Sequence, residues 1–78
     1  MSGVPRPKPC YLDDLKGFKV IDGRKVWAND DGSRLYTWDS MHGEIEVFNN
    51  RGYHLGVLDA VNGQLIKPAV KGRRLDVK

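Results

Sequence analysis

One short segment of the chain concentrates side chains that can exchange protons or bind metal ions. His42, Glu44 and Glu46 recur at every second residue, and Asp39 comes just before them. In an extended strand, residues of equal parity point to the same face, so this spacing places the histidine and the carboxylates side by side. Ile45, between the two glutamates, predicts that the opposite face of the strand is buried.

Three interpretations of this face remain open from the residue types alone. Imidazole and carboxylate groups can bind a divalent metal ion. They can also cleave RNA without a metal, if one group takes the proton of a 2′-hydroxyl, another protonates the leaving 5′-oxygen, and a cation stabilises the phosphate. The third interpretation is a solvated acidic face with His42 at a turn, although like charges on one strand face repel each other.

The elements that would position these residues are short strands separated by turns. Glycine-containing turn signals recur after Phe18, at Asp22-Gly23, Asp31-Gly32, Asn50-Arg51-Gly52 and Asn62-Gly63. The alternating runs between them predict an antiparallel meander, with strands at 18–21, 24–29, 34–38, 43–48, 53–59 and 64–67. One short helix is predicted over 11–17. We therefore expect a mainly β (α+β) fold, with a short N-terminal helix and a strongly twisted antiparallel sheet.

Length and composition limit what such a domain can be. The chain has 78 residues and 1 cysteine, which predicts one small domain without a disulfide or a cysteine-based zinc site. No apolar run approaches the about 20 residues that span a bilayer. Residues 1–10 carry proline at alternate positions and predict an extended linker arm that joins the domain, residues 11–78, to something upstream.

The charge is distributed unevenly along the chain. The net charge is +3, yet residues 11–63 carry 6 basic and 9 acidic residues. Both ends are basic, which favours a polyanionic partner. Acidic residues would repel a phosphate, so their concentration in the middle of the chain is unusual for a protein that only binds nucleic acid.

The run from Arg34 to Glu46 resembles the active-site segment of the ribosome-targeting ribonuclease colicins. The shared string is Tyr-x-Trp-Asp-Ser-x-His-Gly-Glu-x-Glu, and the resemblance extends over about residues 33–75. Members of that family are bacterial toxins that cut 16S ribosomal RNA in the decoding site. The same type of domain forms the C-terminal tip of some contact-dependent growth-inhibition toxins.

The resemblance implies a catalytic role for four acid–base residues. Glu46 matches the general base that acts on the 2′-hydroxyl, and His42 matches the histidine that acts with it, most simply as general acid. Asp39 matches the aspartate that orients this histidine. Glu44 matches a second glutamate of the site.

The resemblance also implies contacts with the phosphate and the bases. Arg73 is the best match for the arginine that stabilises the phosphate, and Arg74 is the alternative. Lys67 and Lys71 suit phosphate contacts, because lysine acts as a point charge. Phe48 stands where the family has a tyrosine, and its ring could stack on a base.

The function that the resemblance implies is a metal-independent endoribonuclease toxin without a cofactor. It would be delivered as part of a larger secreted or cell-surface toxin, without a membrane segment in this domain, and would act on the ribosome in the cytoplasm of the target cell. A cognate immunity protein would bind the monomeric toxin, and we expect it to be acidic, because complementary charge speeds association. The alternative is a non-catalytic nucleic-acid-binding module, which has no need for acids on its RNA-binding face.

Overall fold

The computed structural model describes residues 3–15 and 17–77. Within these residues, six antiparallel strands form one sheet. Each strand pairs with the next along the chain, so the sheet order is the sequence order. The mainly β prediction is confirmed, and every predicted strand overlaps an observed one. The strands are β1 (Gly17–Ile21), β2 (Arg24–Ala28), β3 (Arg34–Asp39), β4 (Glu44–Asn49), β5 (His54–Leu58) and β6 (Leu65–Pro68).

The segment before the sheet is a single 3-10 turn over Tyr11–Asp14, shorter than the predicted helix. The helix ends early because Leu15 has extended backbone angles, with φ −88° and ψ 132°. Gly17 begins β1 rather than ending a helix, and Lys16 lies outside the described residues. No helix in the described part of the chain is long and apolar enough to cross a membrane.

Both faces of the sheet are covered by apolar side chains. The larger cluster includes Trp27, Tyr36 and Ile45 on the sheet, with Leu12 from the 3-10 turn packed against them. Burial of Ile45 confirms the core face that the alternation of β4 predicts. The smaller cluster lies on the other face, which also carries the glutamates of β4, and consists of Val26, Leu35, Phe48 and Leu75.

The proline-containing arm follows the domain instead of leaving it. The backbone N–H of Val4 donates to the Ser40 carbonyl at 2.6 Å, and the Trp38 indole N–H donates to the Val4 carbonyl at 3.0 Å. Cys10 is 3% exposed and belongs to the larger cluster. These hydrogen bonds thus attach the arm to the end of β3 and to the turn between β3 and β4. Residues 1 and 2 of the predicted linker lie outside the described part of the chain.

The C-terminal segment folds back over the glutamate-bearing face. Tyr53 and Arg74 form an isolated antiparallel bridge, and the Leu75 N–H donates to the Gly52 carbonyl at 2.7 Å. Leu75 is 8% exposed, so the basic end of the chain is anchored through an apolar contact. This return places Arg73 over the middle of the sheet.

Candidate active site

The turn between β3 and β4 holds Asp39 and His42 together. The Asp39 carboxylate accepts hydrogen bonds from the backbone N–H groups of Met41 at 3.0 Å and His42 at 3.3 Å. Its second oxygen lies 2.8 Å from Nδ1 of His42. Gly43 closes the turn with φ +68°, a left-handed angle that a residue with a Cβ rarely adopts. The local sequence thereby fixes the orientation of the His42 ring.

The environment of Asp39 favours its ionised form. Partial burial works to raise the pKa of this carboxyl, but hydrogen bonds from the His42 ring and from the N–H groups of His42 and Met41 outweigh it, and the pKa is lowered. Nδ1 of His42 donates to the ionised carboxylate. The imidazole side chain is 60% exposed, so its other nitrogen, Nε2, can meet a substrate from solvent.

Each carboxylate of the predicted site has its own cationic or imidazole partner, which removes the repulsion expected between acids on one strand face. Cross-strand pairing of Thr37 with Glu46, and of Asp39 with Glu44, places these side chains on the same face of the sheet. The pairs are Asp39 with His42 at 2.8 Å, Glu44 with Lys67 at 2.9 Å, and Glu46 with Arg73 and with His54.

Glu46 lies at the centre of the site. Nη1 of Arg73 donates to its Oε1, and Nε2 of His54 lies 3.1 Å from the same oxygen. Both described partners contact Oε1, and no hydrogen bond or ion pair given for the described residues involves Oε2. The Glu46 side chain is 16% exposed, so the carboxylate is only partly buried.

His54, the first residue of β5, is a further member of the site that the sequence analysis does not single out. Its side chain is fully buried, and Nδ1 accepts the backbone N–H of Val70 at 2.9 Å. Burial lowers the pKa of His54, and the Arg73 cation adds to this effect, so that together they outweigh the opposing attraction of Glu46. The ring therefore favours the neutral state.

A β-bulge between β4 and β5 places His54 on the site face, where simple alternation along β5 would not put it. Glu46 pairs with Val57 and Val47 with Gly56, but Phe48 pairs with His54, so one residue of β5 is skipped. Without the skip, Leu55 would take the place of His54 on the site face. No periodic pattern in the sequence signals the bulge, although Gly56 is a sign of close approach, because a Cβ there would lie 2.8 Å from the Lys67 carbonyl oxygen.

A cavity of about 370 Å³ brings the catalytic candidates together. Asp39, His42, Glu46 and Arg73 all line it, and so does Arg24 at the start of β2, which sequence reasoning also missed. Arg24 and Arg73 offset the charges of the two carboxylates, so a phosphate can enter. Glu44 does not line this cavity.

A second cavity of about 390 Å³ lies at the other side of the domain and has a different character. Among the described residues, its lining includes Asp14, Asp30 and Asp31 with Tyr11, and no histidine, lysine or arginine. Such a surface repels a phosphate. The cavity around His42 is therefore the better candidate for a site that acts on nucleic acid.

The prediction that Phe48 stacks on a base is wrong for this structure. Phe48 shares the glutamate face, as its parity predicts, but it is 4% exposed and packs with Leu75. Its ring also contacts the His54 ring edge-on, with centroids 5.3 Å apart. The cause is the returning C-terminal segment, which covers this part of the face. Phe48 therefore belongs to the apolar packing beside His54 and does not line the cavity.

The predicted phosphate-binding cations occupy different positions. Lys67 pairs with Glu44, next to the site, and Lys71 is exposed in the turn that precedes Arg73. Arg74 lies with its guanidinium 4.7 Å from the centre of the Tyr53 ring. Between the two candidate arginines, Arg73 is the one that reaches Glu46.

The arrangement of ligand-type side chains also bears on the metal alternative. Within residues 3–15 and 17–77, no group of three or more histidine, cysteine, aspartate or glutamate side chains converges closely enough to hold a metal ion. Each carboxylate of the site instead pairs with a lysine, arginine or histidine side chain.

Comparison with known proteins identifies the family of this chain. A family model described as Cytotoxic matches residues 4–76. The chain belongs to this family of cytotoxic domains. It is 44% identical over 45 residues to colicin E3, and 40% identical over 45 residues to both colicin E6 and cloacin, all of Escherichia coli. Each alignment covers 56% of this chain and 8% of the relative, so the chain spans a small part of those proteins. The resemblance to the ribonuclease colicins is thus confirmed at the level of the family.

Proposed function

We propose that this domain is an endoribonuclease toxin that cleaves 16S ribosomal RNA in the decoding A site by metal-independent acid–base catalysis. The observation that carries the proposal is the cavity in which a partly exposed carboxylate, an exposed histidine and a guanidinium converge. These are the groups that transfer of a 2′-hydroxyl proton, protonation of a leaving oxygen and stabilisation of a phosphate require.

The proposed reaction is an internal displacement at phosphorus. Glu46 takes the proton of the 2′-hydroxyl while O2′ attacks the phosphorus atom. The P–O5′ bond breaks, and His42 donates a proton from Nε2 to O5′. The products are a 2′,3′-cyclic phosphate and a free 5′-hydroxyl, so no water or metal-bound nucleophile is consumed.

The other groups of the site would support this transfer. Asp39 holds the His42 ring through Nδ1, so that Nε2 can donate its proton to the leaving oxygen. Arg73 is close enough to Glu46 to reach a phosphate bound beside it, and would stabilise the charge that develops on the phosphoryl oxygens. Lys67, Lys71 and Arg74 would bind flanking phosphates.

The partners follow from the same proposal. The ribosome supplies a decoding site whose flexible adenines are already unstacked, and docking there would provide the in-line geometry that free RNA lacks. A domain of net charge +3 would be neutralised by an acidic immunity protein in the producing cell. Delivery as the end of a longer toxin agrees with the small share of each colicin relative that the chain covers.

A non-catalytic nucleic-acid-binding module is the alternative function. The basic residues near the C-terminus would suit it, and the paired acids would then only organise the surface. The two functions differ in one result: a binding module leaves RNA intact at any concentration.

Substitution of the acid–base pair tests the proposal. Glu46→Gln and His42→Ala are each expected to lower the cleavage rate by about 10²–10⁴. Circular dichroism should show a retained fold, because both side chains lie outside the apolar clusters. The substrate is a short RNA that mimics the decoding site, assayed with chelator to remove divalent ions. Wild-type rates in both variants, or cleavage that chelator abolishes and Mg²⁺ or Zn²⁺ restores, would refute the mechanism.

Comparison of substrates tests the ribosome as the target. Intact 70S ribosomes should yield one dominant 16S fragment, whereas deproteinised RNA at equal concentration should be cut slowly and at scattered positions. Both rates should fall as salt rises, because phosphate contacts weaken with ionic strength. Equal initial rates on the two substrates would indicate a general ribonuclease.

A further inference from the structure

The histidine beneath the cavity has a hydrogen-bonding pattern that permits one neutral form. Nδ1 of His54 accepts the Val70 N–H, so this nitrogen presents a lone pair and carries no proton. The single ring proton of the neutral histidine must then lie on Nε2, which is 3.1 Å from Oε1 of Glu46. Nε2 is buried and has no hydrogen-bond partner of standard geometry among the described residues, so its contact with Glu46 is an electrostatic one at 3.1 Å.

His54 also holds the segment that carries the arginine. Its backbone N–H donates to the Arg73 carbonyl at 3.2 Å, while its ring accepts the N–H of Val70 at 2.9 Å. The Arg73 N–H in turn donates to the Val70 carbonyl at 3.2 Å, which closes the turn between them. His54 of β5 therefore hydrogen-bonds to both ends of the turn that carries the Arg73 side chain.

We infer that His54 is a positioning residue of the active site. As the Nε2–H tautomer, it orients both Glu46 and the turn that carries Arg73. Oε2 of Glu46 is then the atom that accepts the substrate proton. This inference rests on the proposed ribonuclease function. Both Arg73 and His54 approach Oε1, so Oε2 is the oxygen that neither of these two side chains contacts. A ring with no solvent exposure does not touch RNA, so its effect passes through its two neighbours.

Two substitutions separate the two contacts of the ring. His54→Asn keeps an acceptor near the Nδ1 position and removes the Nε2–H, whereas His54→Gln keeps a donor near the Nε2 position and removes the acceptor for Val70. We expect His54→Asn to lower kcat by about 10- to 100-fold with little change in KM, because the Glu46 carboxylate loses the buried donor that faces it. His54→Gln should restore part of that loss. Val26→Ala is the matched control, because it opens the buried cluster beside Phe48 without removing a polar contact, and it should retain kcat below its melting temperature.

A double-mutant cycle distinguishes positioning from general destabilisation. If His54 acts through Glu46, then His54→Asn costs little further activity once Glu46→Gln is present. Equal losses from His54→Asn in both backgrounds, or a folded His54→Asn variant with wild-type kcat, would overturn the inference while Glu46→Gln and His42→Ala still test the reaction itself.

The tautomer can be measured without any assay of activity. Ring ¹⁵N shifts of His54 in the unmodified protein should show an unprotonated Nδ1 and a protonated Nε2 at neutral pH. A protonated Nδ1 would overturn the inference whether or not the substituted proteins fold.

Discussion

Replacement of Asp39 by asparagine isolates the contribution of the aspartate to the His42 acid. The amide oxygen can still accept the backbone N–H groups of Met41 and His42, so the turn is retained. The amide nitrogen, however, is a donor and would face Nδ1 of His42, which must then present a lone pair. The ring proton moves to Nε2 of a neutral imidazole, which is a weaker acid than the imidazolium.

The size of this effect follows from the exposure of the pair. A hydrogen bond to a charged group contributes about 1.5–3 kcal/mol. The His42 and Asp39 side chains are 60% and 21% exposed, so solvent screens part of this energy, and we expect about 1–2 kcal/mol. This corresponds to a loss of about 5- to 30-fold in kcat on the RNA mimic.

The chain contains a matched control for Asp39→Asn. Asp59 closes the β5–β6 turn in the same way, since its carboxylate accepts the N–H groups of Val61 at 2.9 Å and Asn62 at 3.0 Å. Asn62 occupies the position in this turn that His42 occupies in the turn between β3 and β4. Asp59→Asn should therefore change the turn similarly and leave kcat within about twofold. Equal losses of kcat in Asp39→Asn and Asp59→Asn would refute the reasoning, because the effect would then come from the turn and not from the histidine.

Three further predictions concern stability. The lowered pKa of His54 means that the unfolded chain binds a proton below about pH 6.5 that the folded site rejects, so the free energy of unfolding should fall as pH drops through that value. Urea unfolding of His54→Phe should show a shallower fall over the same range, and identical slopes would contradict a neutral buried ring. Phe48→Ala should cost about 3–5 kcal/mol in chemical denaturation, as for a buried aromatic residue; a loss of activity with unchanged stability would return Phe48 to a role in RNA binding. Trp38→Phe removes the indole donor to the Val4 carbonyl, and should speed hydrogen exchange of the Val4 amide; unchanged exchange would show that this bond does not hold the arm.

Local sequence signals determined the architecture of the sheet. Turn residues such as Asp22-Gly23 and Asn62-Gly63 mark the strand ends, and the aromatic and β-branched runs between them favour extended backbone. Connections this short can join only neighbouring antiparallel strands, so the strand order follows from the turns. The pairing of Asp39 with His42 is equally local, because three residues and a closing Gly43 suffice to bring them together.

The tertiary structure decided which other residues join that turn. Alternation correctly placed Phe48 on the face of the glutamates, but its burial depends on Leu75, which comes from the far end of the chain. The bulge opposite Val47 turns His54 inward. The position of this bulge depends on how β5 packs between β4 and β6. The fold-back of the C-terminal segment likewise brings Arg73 to Glu46 and directs Arg74 to the Tyr53 ring. Periodicity describes a residue relative to its own strand, whereas these contacts depend on how distant segments pack, and only the folded chain contains that information.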